Sequence, residues 1–257
     1  MCLIVLAHQL HADYPLLMAA NRDEFHQRPT QRMHWWQDGH EMLAGKDLQA
    51  GGTWMGIADN GRWAALTNYR QGGAAATNGP SRGALCSDFI SQNVSAWEFA
   101  QQADQHDYAG YNLLLWDGEA LVYHGNRAAS GPQVLGPGLY GLSNALLDTP
   151  WPKVDKVKQG LASLLTAETI DHDMLQRVML DPQLAEDSLL PDTGIPLHWE
   201  KQLSACHIIA PEMDYGTRTC ISVMQHQSGN MSIKERDFDD ANSADQDFLI
   251  KLNEVAM

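Results

Sequence analysis

The stretches MCLIVLAHQL (residues 1–10) and LLMAANRDEFHQRPT (residues 16–30) decide how this chain begins to fold. Each contains an apolar run of strand length, at residues 3–7 and 15–20, and polar residues separate the two runs. The pattern predicts two antiparallel strands joined by a turn near His11 and Ala12. Opposed positions in this hairpin have numbers that sum to about 23, which places Cys2 across from the Asn21 and Arg22 end of the second strand.

A thiol beside a guanidinium indicates a reactive cysteine, because the positive charge favours the thiolate. Asp23 follows Arg22 and can orient an amine or the thiol itself. If Met1 is removed, the α-amine of Cys2 has an ordinary pKa of roughly 7.7–8.0 and can act as the general base. Such a site would attack an amide, and Asn144 is our candidate for the donor that stabilises the oxyanion. From the residues alone, an incidental Cys2 beside an exposed charged turn remains the alternative.

The rest of the chain alternates short apolar runs with turn residues. Further strands are predicted at residues 55–58, 63–67, 111–117, 120–124, 139–144, 205–210, 220–225 and 231–236. The turn sequences ADNGR, WDGEA and HQSGN predict hairpins. Residues 81–104 and 150–190 have helical spacing, and residues 71–83 are a predicted loop beside a site. This order favours one α+β domain over residues 1–257 with antiparallel sheets.

Composition narrows the classes of partner. Seventeen basic and 32 acidic residues give a net charge of −15, which argues against binding to nucleic acid or to an anionic membrane surface. No apolar stretch has the length of a transmembrane helix, and the first residues lack the features of a signal peptide, so a cytoplasmic location is expected. Four separated cysteines and eleven histidines form no known metal motif, so we predict free thiols and no structural metal.

Many short blocks of this sequence are typical of one family. They are Met1-Cys2, NRDE (21–24), RPT (28–30), GKD (45–47), GGTWMG (51–56), LTNYR (66–70), SRG (81–83), AGYNL (109–113), GLSN (141–144), LDTPWPK (147–153) and YGTR (215–218). In these blocks the chain resembles the NRDE family, which includes the transport-and-Golgi-organisation proteins of eukaryotes and their bacterial relatives. The resemblance extends over nearly the whole chain.

The resemblance implies a four-layer αββα sandwich of the N-terminal-nucleophile (Ntn) hydrolase type. The chain is also similar to the cysteine branch of that superfamily, the penicillin V acylases and bile salt hydrolases. Carried over to this sequence, the catalytic residues of that branch would be Cys2, Arg22, Asp23, Asn144 and Arg218. One departure is that this chain has Asn-Arg-Asp-Glu where those hydrolases have Arg-x-x-Asp.

For function, the resemblance implies a cytosolic protein that binds and transfers haem as a non-covalent cargo to a protein acceptor that the sequence does not identify. The alternatives are a cysteine amidohydrolase acting on a small amide and a protein that binds acyl-CoA or lipid, with Arg22, Arg28 and Arg70 against phosphates. All three place a small-molecule ligand beside Cys2. The expected ligand-binding residues are Asn21, Arg22, Asp23, Glu24, Arg28, Trp54, Asn68 and Arg70.

Overall fold

The computed structural model describes residues 2–37, 41–73, 79–103, 106–240 and 243–252. Its strands are β1 (Cys2–His8), β2 (Leu16–Phe25), β3 (Thr30–Trp35), β4 (Met42–Asp47), β5 (Met55–Ala58), β6 (Trp63–Asn68), β7 (Tyr111–Trp116), β8 (Leu121–Gly125), β9 (Gln133–Leu135), β10 (Gly138–Leu142), β11 (Ile209–Ala210), β12 (Tyr215–Gln225), β13 (Met231–Asp237) and β14 (Gln246–Ile250). Its α-helices are α1 (Gly83–Ser91), α2 (Ala96–Ala103), α3 (Pro152–Leu164), α4 (His172–Val178) and α5 (Leu197–Gln202).

The strands form two antiparallel sheets. The first sheet has the order β10-β1-β2-β12-β13-β14, with β11 paired to β12, and the second sheet runs from β3 through β9 in chain order. Side chains from both sheets, among them Ile4, Met18 and Leu114, form one core between them. Helices α3 and α4 cover the outer face of the first sheet, and α1 and α2 cover the second. The predicted four-layer αββα sandwich with antiparallel sheets is therefore confirmed.

The three predicted hairpin turns are confirmed. They connect β5 to β6, β7 to β8 and β12 to β13. The glycine in each turn, at positions 61, 118 and 229, has a positive φ of 83°, 100° and 87° respectively. Only glycine adopts this backbone conformation without steric cost, which explains why these sequences reverse the chain.

Both predicted helical regions are divided into two helices. In the first region, Ser95 and Glu98 form a reciprocal cap, because the Glu98 amide donates to Ser95 Oγ and the Ser95 amide donates to Glu98 Oε2, each over 3.2 Å. This cap starts α2 separately from α1. In the second region, Asp171 caps α4 by accepting a 2.7 Å hydrogen bond from the Met174 amide.

Some strands differ from the expectation. The segment 205–210 contributes only Ile209–Ala210 to a strand, because the residues before it turn into the apolar cluster around α5. Strands β3, β4, β9 and β14 were not expected. β3 has the sequence TQRMHW, in which Met33 is the only residue classed as buried, so its hydrophobic signal is weak.

The first hairpin has the register on which the site depends. Cys2 pairs with Arg22, and the following pairs continue to His8 with Leu16. Paired numbers therefore sum to 24, one more than the expected value of about 23. Because β2 also pairs with β12 along its length, both neighbours hold Arg22 in place.

Gly45 on β4 gives a test of the packing beneath the site. A Cβ atom added there would lie 2.7 Å from Cζ2 of Trp54 and still closer to Cη2. The indole ring is rigid and buried, so the Gly45→Ala variant must displace it.

We expect Gly45→Ala to lower the free energy of unfolding by about 1–3 kcal/mol, which is the usual cost of overpacking a core. Urea denaturation of the purified protein measures this change. Gly131→Ala is the matched control, because a Cβ at Gly131 has no neighbour within 4 Å. Equal stability of the two variants would contradict the packing described for Trp54.

Candidate active site

A polar cleft opens where β1 begins and β2 ends. It has a volume of about 120 Å³. Its lining residues are Cys2, Arg22, Asp23, Glu24, Arg28, Asp47, Gly52, Thr53, Trp54, Leu66, Asn68, Ser81, Arg82 and Gly83. These lining residues come from the first sheet, the second sheet and the start of α1. The cleft therefore forms only when these layers pack together.

The Cys2 side chain lies between the sheets, on the same face as Ile4 and Leu6, and is 8% exposed. Burial raises the pKa of its thiol. The neighbouring Asp23 and Glu24 carboxylates raise the pKa further, whereas the Arg22 guanidinium lowers it. The thiol is therefore protonated at neutral pH, and its use as a nucleophile requires a group that accepts the proton.

Arg22 lies beside Cys2 and is 5% exposed. Its guanidinium carbon is 4.5 Å from the centroid of the Trp54 ring, and its Nη2 is 4.0 Å from Glu24 Oε2. Nη1 is buried and has no hydrogen-bond partner among the described residues. A buried donor without an acceptor is costly, and Nη1 of Arg22 is such a donor among the described residues.

Two other arginines lie at the cleft. Arg28 is held by Asp47, with 2.8 Å between Nε and Oδ2, and lies 3.9 Å from Glu24. Arg82 Nη1 donates to the carbonyl oxygen of Gly110 over 3.0 Å. The carboxylates of Glu24 and Asp47 lie beside these arginines, so the cleft carries groups of both charges.

The backbone forms one wall of the cleft. The Thr53 amide donates to the carbonyl oxygen of Gly83 over 3.2 Å. A Cβ atom added at Gly52 would lie 2.7 Å from that same oxygen and closer to the adjacent carbonyl carbon. No side chain fits between these two segments, so glycine is required at position 52 for the close approach.

Asp23 borders the cleft, but its carboxylate belongs to the opposite face of β2. Oδ1 accepts a 2.7 Å hydrogen bond from Thr217 Oγ1, and the backbone oxygen of Asp23 accepts one of 2.9 Å from Tyr215. Asn21, two residues earlier and on the same face, donates its amide to the carbonyl oxygens of Met179 and Cys206. Burial raises the pKa of the Asp23 carboxyl.

Asn144 lies beside the start of β1 without reaching the lining of the cleft. Its Nδ2 donates to the backbone oxygen of Asn68 over 2.9 Å, and the adjacent Ser143 hydroxyl donates to the Cys2 carbonyl over 3.3 Å. Asn68 itself lines the cleft. Asn144 therefore holds the segment that carries Asn68, while its assignment as the oxyanion donor stays a prediction.

Besides Asn144, three residues expected at the site do not line the cleft. Asn21 faces the helices on the outer side of the first sheet. Arg70 forms a buried ion pair with Glu200, with 2.6 Å between Nη1 and Oε2, and its guanidinium carbon is 4.7 Å from the Trp151 ring centroid.

Arg218 also lies outside the cleft, at the irregularity where β12 shifts register against β2. It forms an ion pair with Asp239 and donates to the backbone oxygens of Phe25 and Arg28. These hydrogen bonds hold the backbone of the turn that follows β2. Arg218 therefore stabilises the backbone at Arg28 from outside the cleft.

Arg82, Ser81 and Thr53 were not assigned to the site from the sequence, although SRG and GGTWMG belong to the blocks that identify the family. The loop predicted over residues 71–83 supplies the first two, while its residues 74–78 lie outside the described part of the chain. Met1 also lies outside it. Within the described ranges, no group of three His, Cys, Asp or Glu side chains could hold a metal ion, and no helix has the length and apolarity to cross a membrane.

The comparison with solved structures finds a likeness to the Caenorhabditis elegans ortholog of N-acylethanolamine-hydrolyzing acid amidase. The two share 13% sequence identity with a TM-score of 0.47, and the match covers 69% of this chain and 85% of that chain.

The sequence comparisons identify closer relatives. A family model described as Transport and Golgi organisation 2 matches residues 1–240. The Transport and Golgi organization protein 2 homolog of Homo sapiens is 36% identical over 239 residues, which cover 87% of this chain and 86% of that protein. The Bos taurus homolog is 35% identical over 241 residues with the same coverage. The resemblance seen in the NRDE blocks is confirmed, and the chain belongs to the Transport and Golgi organisation 2 family.

Proposed function

We propose that this protein hydrolyses an amide or thioester bond of a small, negatively charged acyl compound, with Cys2 as the nucleophile. The observation that carries the proposal is the pairing of Cys2 with Arg22 at a polar cleft. The thiol can attack a carbonyl carbon only where a donor holds the carbonyl oxygen or a nearby carboxylate. Arg22 Nη1 is a buried donor that still lacks such an acceptor among the described residues.

The reaction has two steps with a covalent intermediate. The Cys2 thiol transfers its proton to a base, its sulfur bonds to the carbonyl carbon, and the bond to the leaving amine or thiol breaks as that group takes the proton. Water then attacks the thioester, which releases the acid and restores the thiol. Because burial raises the pKa of Cys2, the base is essential, and removal of Met1 would supply the α-amine of Cys2 for this role.

The size and charge of the cleft support a small acyl group. Its volume of about 120 Å³ is below the roughly 300–1,000 Å³ of pockets that enclose drug-sized ligands. The arginines at the cleft have carboxylate partners of their own, except for the free Nη1 of Arg22 and the backbone-bound Arg82. A ligand carboxylate near Arg22 or Arg82 would gain charge-assisted hydrogen bonds.

Two chromogenic probes test the activity. We expect succinyl p-nitroanilide, which carries a carboxylate, to be cleaved with at least about tenfold higher kcat/KM than acetyl p-nitroanilide, because only the former can pair a carboxylate with an arginine. The Cys2→Ala variant should lower kcat/KM by about 10³-fold or more, since it removes the atom that forms the intermediate. Release of p-nitroaniline measures both.

Cys220→Ala is the matched control, because Cys220 is a buried thiol on β12 that packs in the core on the far side of the first sheet. The intact mass of the purified protein shows whether Met1 is removed. Full retention of Met1 together with cleavage that survives Cys2→Ala would exclude the proposed nucleophile.

Haem carriage is a second proposal for the same cleft. Arg28 and Arg82 lie where they could pair with haem propionates, and a Cys2 thiolate is a possible iron ligand. No histidine is present in the cleft lining given above. A porphyrin exceeds the volume of the cleft, so it would lie across the opening with only its edge inside.

Haem carriage predicts saturable binding with a Kd in the micromolar range and a Soret band that moves when Cys2 is replaced by alanine, because the iron would lose its ligand. Titration of the protein with haem, followed by absorbance, measures both quantities. Cys220→Ala should leave the spectrum unchanged. Weak, non-saturable association in all three proteins would exclude haem as the cargo at this cleft.

A further inference from the structure

The amine of Lys153 is buried behind the cleft. Lys153 is the second residue of α3 and is 2% exposed. Its Nζ has no hydrogen-bond partner among the described residues. Burying an ammonium group without hydrogen bonds is expensive, so this position requires compensation from nearby negative charge or a function that depends on it.

Hydrogen bonds through Cys206 show on which side of β2 Lys153 lies. The Asn21 amide donates to the Cys206 carbonyl over 2.9 Å, and the Cys206 thiol lies 3.7 Å from the backbone oxygen of Lys153. Asp23 is on the same face of β2 as Asn21. The side chains of Lys153 and Asp23 therefore share the outer face of the first sheet, and of the two only Asp23 borders the cleft.

Lys153, Asp23, Arg70 and Glu200 are all buried. Arg70 already has a close counter-ion, because Glu200 lies 2.6 Å from it. The Asp23 carboxylate and the Lys153 ammonium are opposite charges, and each favours the charged form of the other. The ionisable groups that act on this pair include, among the described residues, Cys2 on β1, Arg70 after β6, Cys206 before β11 and Tyr215 on β12.

Burial has opposite effects on the two partners. It lowers the pKa of Lys153 to about 8, and Arg70 adds to this effect. It raises the pKa of Asp23, and the positive charge of Lys153 is the largest influence that opposes the increase. Without Lys153, Asp23 would take up a proton at a higher pH than it does in the intact protein.

We propose that Lys153 is a positioning residue that keeps the Asp23 carboxylate ionised behind the nucleophile. This inference rests on the proposed hydrolysis, in which a negative Asp23 orients the amine that accepts the thiol proton. Lys153 acts through Asp23 and does not reach the cleft, because it does not line the cavity that contains Cys2.

The pH dependence of kcat for succinyl p-nitroanilide tests the inference. Activity should fall on the acid side as Asp23 and the amine that it orients take up protons. In Lys153→Met the midpoint of that fall should move upward by about one pH unit or more, because a nearby positive charge has been removed. Lys153→Arg keeps the charge and should restore the original midpoint. Lys156→Met is the control, because Lys156 lies on the same helix but is exposed and paired with Asp181.

A second measurement needs no substrate. The pair should be coupled in a double-mutant cycle of Lys153→Met and Asp23→Asn, followed by urea unfolding at pH 7. We expect the unfolding equilibrium constant of the double variant to be at least about tenfold smaller than the two single effects together predict. Each single variant leaves one buried charge without the opposite charge of its partner, whereas the double variant removes both charges.

The two measurements separate the inference from the proposed function. Coupling in the cycle without any hydrolysis would support the charge pair and reject the hydrolase. Hydrolysis with an acid midpoint that Lys153→Met leaves unchanged would reject the role of Lys153 and retain the hydrolase. Additive stability effects would show that the two charges do not act on each other, and would also overturn the inference.

Discussion

The pairing of Cys2 with Arg22 across the first hairpin is the constraint on which the site depends. β2 is a central strand, paired with β1 on one side and β12 on the other, so its register cannot slip without breaking both ladders. A shift of one residue would turn Arg22 away from the cleft and bring Asp23 into it. The core between the sheets fixes the same choice, because Ile4, Met18 and Ala20 must face inward.

The alternation of side chains along β2 creates two electrostatic environments within four residues. Arg22 and Glu24 face the cleft, where water and a ligand can reach them. Asn21 and Asp23 face the covered side, where hydrogen bonds to backbone and to Thr217 replace water. The NRDE sequence therefore forms two pairs of polar side chains on opposite faces of β2, and not one cluster of four polar residues.

Local sequence patterns were sufficient for much of the fold. Apolar runs of strand length and glycine turns marked the hairpins correctly because both signals act within a few residues. β3 and β14 were missed because their burial comes from the opposite sheet and not from their own composition; Glu235, for example, accepts the Met33 amide across the interface. Boundaries within the helical regions depended on caps such as Ser95 with Glu98, which the spacing of apolar residues does not reveal.

The site was predictable only where its residues are adjacent in the chain or in a hairpin. Cys2, Arg22 and Glu24 met this condition and line the cleft. Arg70 and Arg218 did not, because their ion pairs with Glu200 and Asp239 depend on contacts over long separations in sequence. The position of a charged residue in a family block indicates that the residue is important. Only the packing of the layers shows whether its side chain faces a ligand or supports the backbone.

The contact between Gly52 and the Gly83 backbone limits how ligand preference can diverge among relatives with this arrangement. Any larger residue at position 52 would separate the second sheet from α1 and widen the cleft as a whole. Glu24 and Arg28 line the cleft from the first sheet and the turn after it, and their side chains are not part of this backbone contact. The wall at Gly52 is therefore fixed by the main chain, whereas the wall at Glu24 and Arg28 is formed by side chains.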